Sequence, residues 1–394
     1  MERRKFGLNL EDKKWRYERI RNFIRSKELD AIILGGTAWE EGKIRYITGQ
    51  YFRIGHGNAH VVFPAEGEPM LFAFTESRLY NFKCVTKYNE DFWFDKNQTD
   101  TFENIKNFIN GIKLRNKRIG IDLYLIGADI YKGLLQIYPA VDFFDIGADF
   151  TALMRIHTEN EIGLSRESAR ICDEVWNSMR TFLKPGLYDY ELTAEWSRIM
   201  YQNECDRVFN LIDIDKHDVT NVWWPSSHSP RKLENDSLVC MEMSCSRGGY
   251  WTQRVGIACM SEPDPITIKL HEAIRDAQLE AAIVIKPGIT MSCDVAKKMN
   301  EVITGYGFLN SSEFNCPPHG HVMEMSIDMG TLSGTPDNAF LMEESMVFVL
   351  HPSAAVKGYT MGKPALFSPG NMYVLTKDGA KPLYEYDIEL MVMA

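Results

Sequence analysis

The sequence predicts an α/β (α+β) protein of two domains: a mixed-sheet domain, then a domain of duplicated helix and strand units. Three observations predict it. Strand-like and helical segments alternate through residues 1–150, and beyond them the pattern changes to a long helical stretch. The third is a repeat, because Leu183-Lys184-Pro185-Gly186 and Ile285-Lys286-Pro287-Gly288 each end an amphipathic helical run. Each is followed by a polar turn and another helical run, as expected of one supersecondary unit used twice. Two such units related by a pseudo-twofold axis place the chemistry in the strands that follow each copy.

At 394 residues the chain is too long for one typical core, which agrees with two domains. Residues 11–28 carry helical periodicity with a charged outer face. LDAIILGG (29–36) reads as a buried strand ended by glycines. IRYITGQYF, AHVVFPAEGEPMLFAF, RIGIDLYL and VDFFDIG read as further strands of a mixed sheet with flanking helices. The helical stretch from residue 148 to the first Lys-Pro-Gly is expected to break near His157-Thr158, where Thr158 and Glu161 form a capping box. The expected organisation is 1–150 for the first domain, 151–157 for the boundary and 158–394 for the second. SLVCMEMSCSRG, YWTQRVGIACM, HGHVMEMSI, SMVFVLHPS and NMYVLTKDG are its expected strands.

A hydrophobic content of 45% and a charged content of 25% are those of an ordinary globular protein. The net charge of −10 argues against binding nucleic acid or an anionic membrane, either of which needs a basic face. No apolar run approaches the roughly 20 residues that span a bilayer, and MERRKFGLNLEDKKWRYERI lacks the apolar stretch of a secretory signal. The eight cysteines show no CxxC pair, so they read as reduced, packed thiols of a cytoplasmic protein.

Several motifs of the second domain fall in one order. Thr158-Glu159-Asn160-Glu161-Ile162 precedes the two Lys-Pro-Gly turns; Asp236-Ser237-Leu238-Val239 leads into Glu242 and Gly249-Tyr250. Gly320-His321, Met346-Val347-Phe348-Val349-Leu350-His351-Pro352 and Val374-Leu375-Thr376-Lys377-Asp378-Gly379 follow. In this order they resemble the creatinase/aminopeptidase P family, whose catalytic domain has the pita-bread fold. The resemblance covers residues 158–379, and it implies a creatinase-like N-terminal domain before them. It also implies a homodimer with the N-terminal domain near the partner's site.

Metallopeptidases of that family hold two divalent ions through two aspartates, one histidine and two glutamates, an oxygen-rich set suited to hard cations. By resemblance, Glu242 and Gln253 stand at the aspartates, His321 at the histidine, His351 at the first glutamate, and the second falls near Gly370. Only one carboxylate remains, so a dinuclear metallopeptidase is not expected. Creatinase is the family's metal-free precedent, and its matching histidine shuttles the proton of C–N hydrolysis. The expectation is therefore a metal-independent hydrolase of a C–N bond in a small, polar, carboxylate-bearing nitrogen compound, with no cofactor. His321 is its general acid/base, with His351 and Glu242 positioning water or the scissile group.

Around this centre the resemblance adds Asp328, seven residues past His321, where the family has a second histidine. It adds His228 as a substrate contact, and Arg53 in Gln50-Tyr51-Phe52-Arg53 as a bidentate carboxylate clamp for a neighbouring subunit. Trp223 and Trp224 form either an apolar wall for a ligand or a cover for the core. His319 competes with His321 for the family position, and Glu324 lies beside or beneath the site. Glu242, Ser244 and Cys240 share one face of their strand; the plain alternative for Glu242 is an ion pair with Arg254 or Arg247. Three other readings stay open. Glu242, His321 and His351 are a ligand set for one Fe, Zn or Mn ion in a hydrolase or lyase; an Xaa-Pro peptidase-like metallopeptidase is the second, and a non-catalytic pita-bread binding protein the third.

Overall fold

Side chains that satisfy the first free backbone N–H groups mark the start of several helices of this protein. The computed structural model describes residues 8–49, 58–73, 96–222, 229–314, 319–323, 325, 331–332 and 335–393. Asn9 accepts from the backbone N–H of Glu11 and Asp12, and Asp12 returns a bond to Asn9 N, so α1 (Leu10–Ser26) starts on a reciprocal cap. Thr158 and Glu161 make the same exchange at the head of α6 (Glu159–Phe182), as the sequence predicts.

Compact units form over Met1–Met154 and Arg155–Ala394. In the first, β1 (Ala31–Gly36), β2 (Ala59–Pro64), β3 (Met70–Ala73), β4 (Asn97–Gln98), β5 (Arg118–Ile121) and β6 (Asp142–Asp145) form one mixed sheet in the order β4-β3-β2-β1-β5-β6. Its apolar side chains, among them Ile33, Val62, Phe72 and Ile119, pack with Ile105 and Ile109 of α3 (Phe102–Asn110) and Leu134 of α4 (Ala128–Ile137). Residues 44–48 do not extend the sheet. They belong to α2 (Gly42–Thr48), which Gly49 closes at φ 66. The β-branched and aromatic residues that suggest a strand there are all buried, so no exposed face marks the helical period. Residues 151–154, placed above in the boundary, form the last turn of α5 (Gly147–Met154). Phe150 and Met154 are buried in the first unit, Phe150 against Phe23 and Tyr46.

In the second unit α6 and α7 (Asp189–Gln202) are followed by β7 (Arg207–Asp215), β8 (Asp218–Val219), β9 (Leu238–Arg247) and β10 (Tyr250–Cys259). Helices α8 (Pro265–Val284) and α9 (Ser292–Gly305) precede β11 (Leu309–Asn310), β12 (Gly320–Val322), β13 (Val347–Leu350), β14 (Ala354–Ala355), β15 (Ala365–Leu366), β16 (Asn371–Thr376), β17 (Gly379–Pro382) and β18 (Leu390–Val392). Three four-stranded sheets result: β18-β10-β9-β7, β12-β13-β16-β17 and β11-β14-β15-β8. Strands β7 and β18, not anticipated from the sequence, complete the first of them. Within HGHVMEMSI the described strand is β12, and Met323 N still donates to Val347 O at 2.9 Å.

The duplication is visible bond by bond. Gly186 N donates to Leu233 O at 2.7 Å, and Gly288 N donates to Met342 O at 2.8 Å. Leu233 N then returns to Leu187 O, as Met342 N returns to Thr290 O, and both glycines have positive φ. Each Lys-Pro-Gly turn is thus tied to the segment that leads into a site-bearing strand, β9 in one half and β13 in the other.

Alternate residues of β9 divide between two cores. Val239, Met241, Met243 and Cys245 pack with Cys172, Trp176 and Trp196 of α6 and α7, while Cys240 packs with Val255, Ile257 and the helices α8 and α9. Cys172, Cys205, Cys240, Cys245, Cys259 and Cys293 are buried free thiols. Among the described residues no helix is long and apolar enough to cross a membrane. Helix α6 reaches β10 so closely that a methyl at Gly256 would overlap the ring of Trp176. Gly256→Ala is expected to cost about 1–3 kcal/mol of stability through overpacking, read as a lower urea midpoint at unchanged slope; an unchanged midpoint would show that this contact is loose.

Candidate active site

The β9–β10 hairpin pairs Glu242 with Val255 and Ser244 with Gln253, so Glu242, Ser244, Ser246 and Gln253 share one face. All four are buried. Gln253 Nε2 donates to Glu242 Oε1 at 2.8 Å. The ion pair with Arg254 or Arg247 considered for Glu242 does not form. Arg254 points to the opposite face, where it binds Asp173 at 2.6 Å and stacks on Trp176 and Tyr384. Arg247 pairs with Glu167 and Glu204.

Burial without a cation pushes the Glu242 carboxyl up to about 7, the bond from Gln253 opposing the shift. Ser244 Oγ, Ser246 Oγ and Gln253 Oε1 have no hydrogen-bond partner among the described residues. Each such buried group costs about 1–3 kcal/mol when left unpaired. The hairpin is held from behind by Thr252, whose hydroxyl meets the Tyr384 hydroxyl at 2.7 Å.

The second half supplies two imidazoles. His321 on β12 lies across from Val349 of β13, and His351 follows the end of β13. Their rings meet edge to face, with centroids 5.1 Å apart and planes at 70°. His319 is turned away toward α9, its Nε2 lying 2.5 Å from Asn300 Oδ1, while its carbonyl accepts from His351 N at 3.0 Å. Burial lowers His319 to about 4, against a bond to the backbone of Leu332. The structure thus brings His321, not His319, beside His351.

Gly370 joins the two halves. Its N–H donates to Val255 O at 2.9 Å, in the row of Glu242, and its α-carbon abuts His351. A β-carbon at residue 370 would lie 2.5 Å from His351 Cβ and 2.6 Å from Leu350 O. No side chain fits there, so the place near Gly370 offers no ligand and His351 fills the adjoining space. The described residues therefore do not fit a pair of metal ions: Gln253 turns an N–H toward Glu242, and His321 and His351 are imidazoles. Among the described residues no group of three His, Cys, Asp or Glu side chains is arranged to hold a metal ion. The single-metal set of Glu242, His321 and His351 is accordingly not assembled. Arg53, Trp223, Trp224, His228, Glu324 and Asp328 lie outside the described residues.

Sequence reasoning missed Ser246 and Asn300. Ser246 was within reach, since the period-2 run from Glu242 through Ser244 continues to it. Asn300 gives no local sign, as it meets His319 only through tertiary packing.

A creatinase-type N-terminal unit ahead of a duplicated helix and strand unit, with its polar residues on the inner strands, defines a class, and comparison with known proteins agrees. Residues 16–156 match the creatinase/prolidase N-terminal domain, and residues 163–380 match metallopeptidase family M24. The chain belongs to metallopeptidase family M24, and its architecture is a creatinase-like N-terminal domain followed by a pita-bread domain. It is 21% identical over 343 residues to the uncharacterized peptidase YqhT of Bacillus subtilis (strain 168), covering 85% of this chain and 89% of the relative. A prolidase from Pyrococcus horikoshii OT3 superposes with a TM-score of 0.77 at 17% identity, over 96% of this chain and 100% of that one. An X-Pro aminopeptidase from Thermotoga maritima MSB8 gives 0.76 at 17%, over 95% and 99%.

The raised pKa of Glu242 has a signed consequence. Between its ordinary value of 4.5 and about 7 the folded state binds the extra proton, so this group's contribution to stability falls as pH rises through that window. The loss is on the order of 3 kcal/mol. Glu242→Gln should therefore gain stability relative to the parent as pH goes from 5 to 8, followed by urea unfolding at each pH. A constant difference across that range would show that Glu242 is not held protonated.

Proposed function

We propose that this protein is a metal-independent hydrolase that cleaves a C–N bond in a small, polar, carboxylate-bearing nitrogen compound. The single observation behind this reading is the edge-to-face contact of His321 with His351, the latter at a place where the resemblance implies a glutamate. Membership in a peptidase family supports hydrolysis as the reaction class, and the misfit of the donor set to two cations supports a route through side-chain proton transfer.

Hydrolysis of an amide-type bond asks for two proton movements. Water must lose a proton as its oxygen bonds to the carbonyl carbon, and the departing nitrogen must gain one as the C–N bond breaks. One imidazole can do both in turn, so the products are an acid and an amine and the histidine ends neutral. His321 takes this part, His351 orients it across the shared edge, and Glu242 positions water or the scissile group. Arg53 and Asp328 are proposed to bind the charged ends of the substrate, with His228, Trp223, Trp224 and Glu324 around it. His319, braced by Asn300, supports the backbone of His351. A homodimer that brings Arg53 to the partner's site, and a cytoplasmic setting, belong to the same reading.

His321→Ala should lower turnover by about 10²–10⁴-fold with an unchanged melting temperature. A mass-detected screen of small N-methylated and amide-containing acids supplies the substrate, and EDTA should leave the parent rate unaltered. Full activity in the variant removes His321 from the mechanism. Loss of activity in EDTA, restored by one divalent metal, would establish the metal-dependent chemistry of the family instead.

A further inference from the structure

The face of the β9–β10 hairpin that carries Glu242 holds more polar atoms than proton transfer employs. Ser244 and Ser246 continue the row of Glu242, and Gln253 stands directly across from Ser244. Both serines are fully buried and Gln253 nearly so. Gln253 spends an amide hydrogen on Glu242, which leaves its Oε1 as a bare acceptor. With the two hydroxyls, that makes three buried groups on one strand face without partners among the described residues. Native interiors rarely leave such groups unsatisfied, and a cluster of them marks a place where a bound molecule completes the bonding.

The pattern of donors and acceptors selects the molecule. Gln253 Oε1 can only accept, so the group facing it must carry an N–H or O–H. The hydroxyls of Ser244 and Ser246 donate, so a carbonyl oxygen suits them. A carboxamide or ureido group presents both functions on adjacent atoms. A prolyl imide does not, because its nitrogen bears no hydrogen and its ring carbon would face the amide oxygen. A guanidinium cation offers no acceptor to the serine hydroxyl hydrogens, which would stay unpaired. We propose that Ser244, Ser246 and Gln253 form a subsite for a neutral carboxamide or ureido group, and that the substrate is an N–H-bearing compound of this class, not an Xaa-Pro imide. This rests on the hydrolase reading only for supposing that the bound molecule is a substrate.

The test separates binding from turnover. The full chain carrying His321→Ala is titrated calorimetrically with N-carbamoylglycine, with N-(dimethylcarbamoyl)sarcosine, in which neither ureido nitrogen bears a hydrogen, and with glycyl-proline, whose prolyl nitrogen bears none. N-carbamoylglycine should bind at least about 100-fold more tightly than either comparator, since a site that bonds an N–H rejects molecules lacking it. Adding Ser244→Ala should weaken N-carbamoylglycine about 10-fold and leave the comparators unmoved. Should that variant fail to fold, Gln253→Met, similar in length but without the acceptor, answers the same question. Equal binding of the three probes, no binding of N-carbamoylglycine, or indifference to both substitutions overturns the subsite. The hydrolase reading is scored apart, by mass detection with His321 intact. Selective binding without cleavage by the parent protein leaves the subsite standing and removes the hydrolase; cleavage of all three probes at equal affinity does the reverse.

Discussion

Glu242 lies in the middle of a strand buried along its whole length, and that single burial governs the rest of the site. A carboxylate placed there without a cation is costly, so it must either keep its proton or collect hydrogen bonds. Gln253 supplies one such bond. An arginine could have supplied charge as well, yet Arg254 sends its guanidinium through the other face to Asp173. The alternation of side chains along β10 makes the two outcomes exclusive. A cation committed to anchoring β10 to α6 is denied to Glu242, whose face of the hairpin continues with the uncharged Ser244, Ser246 and Gln253.

Gly370 and His351 make the corresponding choice in the other half. The close approach of the 370 backbone to His351 leaves room for an imidazole and none for a second side chain. The Gly370 bond to Val255 then fixes the distance between the halves through backbone atoms alone. The place of the His351 imidazole is thus set by the backbone packed against it.

Most of the scaffold was legible because it is written in local chemistry. The Lys-Pro-Gly turns, the Thr158–Glu161 cap and the long strands β9 and β10 each declare themselves within a few residues. The shared face of Glu242 and Ser244 follows from strand alternation, once the strand is known. Helix α2 was misread because every side chain that could report its period is buried. Strand β7 escaped notice, and so did β18, whose parallel pairing with β10 depends on residues far away in sequence. The sequence preferred His321 but left His319 as a competitor, and the environments that separate the two could not be read. They are set by Asn300 on α9 and by the reach of His351, both of which are tertiary facts.

The parallel pairing of β18 with β10 also sets an order of events during synthesis. Ile257, Ala258 and Cys259 present an open sheet edge until Leu390, Met391 and Val392 exist to cover it. At ordinary elongation rates the ribosome needs on the order of ten seconds to travel between them. For that interval the hairpin bearing Glu242 and Gln253 has an uncapped flank, and Glu389, which receives the indole N–H of Trp176, is also still to come. The nascent chain therefore carries its polar centre before it carries the strand that seals it, and the site matures only as the far end of the second unit arrives.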